Sequence, residues 1–325
     1  MVRTITLTEP LLKLGLNLGE GPVYEAASDT VHFLDINGKK VLHYSLATGE
    51  LTTDEVDEPV GCLVLREKGG LAGAAKQGFC TLDPTPGRPG HLTINYLSKP
   101  LSKELQAVSR FNDGACDPLG RFFCGTLLGK GGGKDGEDLG GELWCLGVGE
   151  EGTWLVEGGW TDCNGMAWWE EDGKWTYFTD SGRDKIHAYD YDLSTGKVSN
   201  KRVHIDGAAL GLRDDPFPRS THDGLCVDSE GCIWSARWNG EVVVRYTRDG
   251  KGIATVIQIP GAYKVTMPIF CGKDNSHMFI TTASNTTDNG EAELKLEKYP
   301  HQGDVFLYDW KGEFTGGVYR WPFKG

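Results

Sequence analysis

The sequence lacks any apolar run near the roughly 18 residues that span a bilayer. It also lacks an excess of basic charge: 33 Lys and Arg stand against 46 Asp and Glu among 325 residues, a formal net charge of −13. The first absence argues against a membrane span, and the second against a nucleic-acid partner, whose phosphates such a chain would repel. The N-terminal Met1-Val2-Arg3-Thr4-Ile5-Thr6 has neither the apolar core nor the small-residue cleavage site of a secretory signal. No Cys-x-x-Cys occurs among the nine cysteines, so a zinc ribbon and a thioredoxin-like motif are both missing. These two features give the expectation of a cytoplasmic protein with free, buried thiols. Gly-x-Ser-x-Gly and His-Glu-x-x-His are absent too, which removes the nucleophile-elbow hydrolases and the zinc proteases of that motif. The glycine-rich stretch from Gly129 to Asp135 is not a phosphate loop, because Leu128 stands where its first Gly belongs and Asp135 where Ser or Thr is needed.

Long amphipathic stretches of period 3.6 are nearly missing, with Leu101 to Arg110 the weak exception. What is present is short alternation of period two, as in Val31-His32-Phe33-Leu34-Asp35 and Cys232-Ile233-Trp234-Ser235-Ala236-Arg237, which reads as all-β. Glycine is abundant, 46 residues of 325, roughly twice the average usage of about 7%. Polar turns sit inside six strand pairs, at Ser28-Asp29, Gly69-Gly70, Leu119-Gly120, Asp172-Gly173, Glu230-Gly231 and Asp274-Asn275. Six units of about 50 residues with about four strands each describe a six-bladed β-propeller. No linker interrupts residues 1–325, which gives one domain, with the segments Leu11–Leu14 and Gly317–Trp321 expected to pair near each other and close the ring.

Counting back seven or eight residues from each turn reaches Glu20, Gly61-Cys62, Asn112 with Asp113, Asn164, His222-Asp223 and Thr266-Met267. Innermost strands line the channel of a propeller, so equivalent positions face one another across it. The spacing therefore gathers Glu20, Asn112, Asn164 and Asp223 at one mouth, in an axial metal site. All are hard oxygen donors, suited to Ca²⁺, Mg²⁺ or Mn²⁺ rather than to a thiolate-bound ion. Each is followed by Gly directly or one residue later, and Asn-Gly and Asp-Gly are also ordinary hairpin turns. Recurrence in four of six units favours the site. Arg110, two residues before Asn112, could bind a substrate oxygen, and His222 could transfer a proton or support Asp223. The loops between second and third strands rim the same mouth: Asn37 to Lys39, Leu127 to Gly140, Ser181 to Asp184, Trp238 to Gly240 and Ser284 to Gly303. The two long ones are lid candidates.

Four segments together, Leu18-Gly19-Glu20-Gly21-Pro22-Val23, Ser109-Arg110-Phe111-Asn112-Asp113-Gly114, Asn164-Gly165-Met166-Ala167-Trp168 and Asp223-Gly224-Leu225-Cys226-Val227-Asp228, resemble the regucalcin (senescence marker protein)/gluconolactonase family. The resemblance runs from about Leu14 to about Phe314. It implies one divalent metal ion on the axis and hydrolysis of a small-molecule sugar lactone. By it, Glu20, Asn164 and Asp223 would be metal ligands, Asp223 also the acid/base, and Arg110 and Asn112 substrate contacts. The sequence departs in two places: His222 stands where Pro commonly precedes Asp-Gly, and Lys130 where regucalcin-like members carry an acidic substrate contact. Both departures bear on substrate, and Lys130 and His222 are counted as substrate-binding positions. The ion's identity stays open among Ca²⁺, Zn²⁺, Mg²⁺, Mn²⁺ and Fe²⁺. A monomer or weak homo-oligomer is expected. A calcium-binding regulator without turnover, a scaffold for protein partners, and a hydrolase of another lactone or an organophosphate remain alternatives.

Overall fold

The computed structural model describes residues 2–128, 140–169, 173–212, 220–284, 297–317 and 320–325. Among them the strands form six sheets, each built of antiparallel neighbours in chain order apart from one added N-terminal strand, arranged as a β-propeller. The innermost strands are Gly19–Glu25, Val60–Leu65, Ser109–Cys116, Cys163–Trp169, Thr221–Val227 and Lys264–Cys271, for blades 1 to 6. Each turns into its second strand at a residue in the left-handed region: Asp29, Gly69 and Gly70, Gly120, Gly173, Gly231 and Asn275 all have positive φ. These are the six turns read from the sequence, occupied by Gly, Asn or Asp because those residues tolerate this backbone best. The helix Lys103–Val108, within the stretch singled out for weak helical period, is capped by Ser102 and precedes blade 3. No described helix is long and apolar enough to cross a membrane.

Aromatic and aliphatic side chains fill the wedges between blades. Phe123 of blade 3 packs on Trp168 and Tyr191 of blade 4, and Trp234 of blade 5 packs on Phe270 of blade 6. All nine cysteines are free and buried in these layers.

Closure differs from the expectation. The Leu12 amide and carbonyl exchange hydrogen bonds with Val305 beside the outer strand of blade 6, completing that three-stranded sheet. Arg3–Thr6 pairs in parallel with Ile253–Gln258 and adds a fifth strand to blade 5. The C-terminal segment lies elsewhere. Gly316 bridges Asp228 of blade 5, Phe323 bridges Arg66 of blade 2, and the Lys324 amide reaches Gly120 of blade 3. Its described residues therefore lie at the mouth where the first strands end, opposite the one where they begin. The two terminal segments do not pair with each other among the described residues.

Candidate metal and substrate site

Every innermost strand carries a register shift at the same place: after Glu20, Val60, Phe111, Cys163, His222 and Val265. The Asn-Gly and Asp-Gly pairs are thus not hairpin turns. They are bulges within strands, which leave a residue unpaired and re-aim its side chain. In blades 4 and 5 the glycine that follows is required by the next blade: a Cβ on Gly165 would stand 2.4 Å from the Leu225 amide nitrogen, and one on Gly224 2.6 Å from Met267 Cγ. Six bulges at one level bring side chains from all round the ring toward the axis.

They open on a cavity of about 800 Å³ lined by, among others, Glu20, Arg110, Asn112, Asp162, Asn164, Asp223 and Trp238. Glu20, Asn164 and Asp223 are each under one-tenth exposed, yet their oxygens are largely unspent. Glu20 accepts one bond, from the Gly21 amide at 3.0 Å. The Asn164 Nδ2 donates to Ser181 Oγ at 2.9 Å, which turns its Oδ1 away, and that Oδ1 is buried with no hydrogen-bond partner. No hydrogen bond from a described residue reaches the Asp223 carboxylate. Burial raises the Asp223 carboxyl well above the carboxylate range, and repulsion from Glu20, Asp162 and Asp113 adds to it. Glu20 is raised by burial and then by Asp113 and Asp162. These four acids therefore share one electrostatic neighbourhood.

A divalent cation fits this set. The donors are oxygen only, three of them face one cavity, and one is an orphaned amide oxygen in a dry setting that otherwise costs free energy. Charge fits as well: Glu20, Asp113, Asp162 and Asp223 bring four negative charges against Arg110 and Arg320, both of which act on them. A doubly charged ion closes the difference. Asp228, Glu230 and Cys232 also cluster tightly enough for a metal. Arg245 already serves as their cation, at 2.7 Å from Asp228 and 2.5 Å from Glu230, so that cluster has its counter-ion.

Other expected residues divide. Arg110 lines the cavity, and its Nη1 donates to Asn112 Oδ1 at 2.6 Å. The Asn112 Nδ2 donates to the Cys163 carbonyl at 2.8 Å, so its amide is engaged at both ends. Asn112 joins blades 3 and 4 and holds Arg110. His222 is a correction, because it does not face the cavity. It is fully buried, with Nδ1 2.7 Å from Asp184 Oδ1 and Nε2 2.9 Å from the Tyr246 hydroxyl. Burial and the Arg237 charge lower it to about 4, so it is neutral there. Strand alternation explains this: if residue 223 points to the channel, residue 222 points away. Lys130 lies outside the described residues, as do 129–139 and 285–296 of the two long loops.

The sequence reading missed Asp162. It sits in the loop leading into blade 4, two residues before Asn164, and burial raises its carboxyl to about 7 against the pull of Arg110. The signal was available: Arg110 precedes Asn112 by the same two residues. The loops joining one blade to the next reach the same mouth as those between second and third strands, and both sets line the cavity.

A family model described as "SMP-30/Gluconolactonase/LRE-like region" matches residues 18–284. Regucalcin from Bos taurus is 32% identical over 319 residues, covering 98% of each chain. The crystal structure of a calcium-binding protein, regucalcin, from Agrobacterium tumefaciens aligns over 100% of both chains with TM-score 0.80 at 24% identity. A gluconolactonase from Xanthomonas campestris aligns over 84% of this chain and 85% of its own, with TM-score 0.64 at 18% identity. These last two show likeness of fold.

Proposed function

Because the chain belongs to the SMP-30/gluconolactonase/LRE-like family, we propose that it is a divalent-metal-dependent hydrolase that opens a sugar lactone to the corresponding acid. The observation that carries this reading is the convergence of unspent oxygens from Glu20, Asn164 and Asp223 in one open cavity beside Arg110. Those three residues would hold the ion. When bound, it polarises the lactone carbonyl and lowers the pKa of water.

The chain supplies the rest. Asp223 accepts a proton from the water whose oxygen attacks the carbonyl carbon, and returns that proton to the ring oxygen as the ring C–O bond breaks. Arg110, held by Asn112, donates to oxygen on which charge develops. Ser181 keeps the Asn164 amide turned the right way. Metal-free Glu20 and Asp223 retain protons, so loading the site releases them. His222 ties blade 5 to Asp184 of blade 4 and plays no part in proton transfer.

The test is a pH-indicator assay on five- and six-membered aldonolactones, with chelated protein and with each divalent ion restored. Turnover that appears only with metal is expected, and full turnover in metal-free protein overturns the mechanism. Calcium, the ion that the Agrobacterium protein is described as binding, suits the same donors. Calcium binding without turnover of any lactone would favour the regulatory reading.

A further inference from the structure

A second ring of side chains stands one step nearer the mouth than the proposed ligands. Pro59, Arg110, Asp162 and Thr221 each stand two positions before the first unpaired residue of their blade's bulge, Leu18 stands two before Glu20, and all five line the cavity. The period of two along a strand puts both rings on the same face. Within this second ring, Arg110 and Asp162 are neighbours in blades 3 and 4 and act on each other electrostatically.

The two are treated differently. Arg110 is engaged by Asn112 and by the Phe111 carbonyl. Asp162 is fixed only through its backbone: its amide donates to Asp180 Oδ1 at 3.3 Å, its carbonyl accepts from the Ser181 amide at 3.0 Å, and it bridges Leu127. Its carboxylate has no hydrogen-bond partner among the described residues, and its Oδ1 is buried. A carboxylate whose backbone is pinned on three sides, with its oxygens unspent at the wall of a cavity, is built to accept bonds from something that enters.

We propose that Asp162 is the residue that selects hydroxylated substrates, accepting hydrogen bonds from the hydroxyls of a polyol ring while the lower ring engages its carbonyl. Arg110 beside it offers donors where Asp162 offers acceptors, so adjacent hydroxyls meet one of each. An apolar lactone leaves the Asp162 carboxylate desolvated and unpaired, and is rejected for that reason. This rests on the lactone reading for its chemistry, and adds the basis of selection.

The test compares D-glucono-1,5-lactone with δ-valerolactone, the same ring without hydroxyls, using metal-loaded wild type, Asp162→Ala and Asp162→Asn. The ratio of kcat/KM for the hydroxylated over the plain lactone should fall about 10- to 100-fold in Asp162→Ala, the range for a bond to a charged group. It should fall less in Asp162→Asn, which keeps one acceptor. Metal affinity by calorimetry should weaken to the same extent in Asp162→Ala and Asp162→Asn, because both remove a charge near the ion, so the two lactones are compared at saturating metal. An unchanged ratio overturns the proposal, as does an equal loss on both lactones accompanied by a larger loss of metal affinity in Asp162→Ala than in Asp162→Asn, which would make Asp162 part of the metal site. If wild type opens neither lactone, the hydrolase reading fails while the selection proposal stays testable. Binding of 1,5-anhydro-D-glucitol, followed by saturation-transfer NMR, should then be several-fold weaker in Asp162→Ala, and equal binding or none overturns it.

Discussion

Asp184 and Asp223 are both almost wholly removed from solvent, and sit on opposite sides of the contact between blades 4 and 5. Asp184 accepts two bonds from the Arg237 guanidinium, at 2.7 and 3.2 Å, and one from the His222 amide at 2.9 Å. Burial alone would raise its carboxyl, but His222 and Arg237 hold it well below the usual range. Asp223 has no such partner, and every acid near it pushes it up. The same division runs through the molecule. Asp117 and Asp228, at matching turns of blades 3 and 5, are met by Arg121 and Arg245 at the mouth opposite the cavity, whereas Glu20, Asp162 and Asp223 gather at the cavity around Arg110. Structural carboxylates in this fold are met by an arginine, as at Asp117, Asp184 and Asp228, or by backbone amides, as at Asp35 and Asp304, and three left short of partners around one cavity mark a candidate place for a ligand.

The sharpest way to break this comparison is to strip a structural carboxylate of its arginine. Arg237→Met strands Asp184 and leaves the Ser220 and Leu212 carbonyls without their donor. It should cost about 3–5 kcal/mol in equilibrium denaturation, the scale for an uncompensated buried charge. The double variant Arg237→Met, Asp184→Leu should recover part of that loss, since no charge is left behind. A single variant of wild-type stability would show that burial alone does not divide the two classes.

The converse change is Asp223→Asn. It should leave the fold intact and raise the melting temperature of metal-free protein at neutral pH, because Asn is neutral there without the proton that the buried Asp223 must take up on folding. Activity should fall on the order of 10² or more even at saturating metal, the scale for losing a general base. If excess metal restores the rate, Asp223 is a ligand only.

The repeat of turns and alternating strands was enough to read the propeller, because Gly, Asn and Asp at left-handed turns are dictated locally. Ring closure was not legible. Leu12 and Val305 meet through tertiary packing, and nothing near either residue in the chain announces it. Counting back from the turns found the four blades that carry Glu20, Asn112, Asn164 and Asp223, since equivalent positions in a propeller share a level. What each does there was harder to read. Asn112 and Asn164 look alike in sequence, and only the contacts with Arg110, the Cys163 carbonyl and Ser181 separate a positioning amide from a free donor. The orientation of His222 could have been read from strand alternation, and Asp162 from the same offset that picked out Arg110.

Titration offers a finer probe of the two classes. In metal-free protein the raised acids, Asp162 at about 7 among them, bind protons that the unfolded chain releases above about pH 4. Stability should therefore fall as pH rises from about 4 through about 7. Asp184, held low, stays ionised throughout this window, and its contribution is lost only below it. Bound metal displaces the same protons. The melting-temperature gap between metal-loaded and chelated protein should thus be several degrees wider at pH 8 than at pH 5. A constant gap would place the metal away from these acids.

The smallest effect tests how the site is held. Ser181 Oγ receives the Asn164 amide at 2.9 Å, and that bond alone fixes which end of the amide faces the cavity. Ser181→Ala removes it without touching any proposed ligand. The Asn164 side chain can then turn its Nδ2 inward, where it repels a cation. Metal affinity by calorimetry should weaken about tenfold, the lower end for a group that orients a ligand. Turnover at saturating metal should stay within about twofold of wild type, because Asp223 and Arg110 are unaffected. A rate that stays low at saturating metal would mean Ser181 touches the substrate, as its position in the cavity wall allows. Unchanged affinity would mean that Asn164 is oriented by its backbone bulge alone.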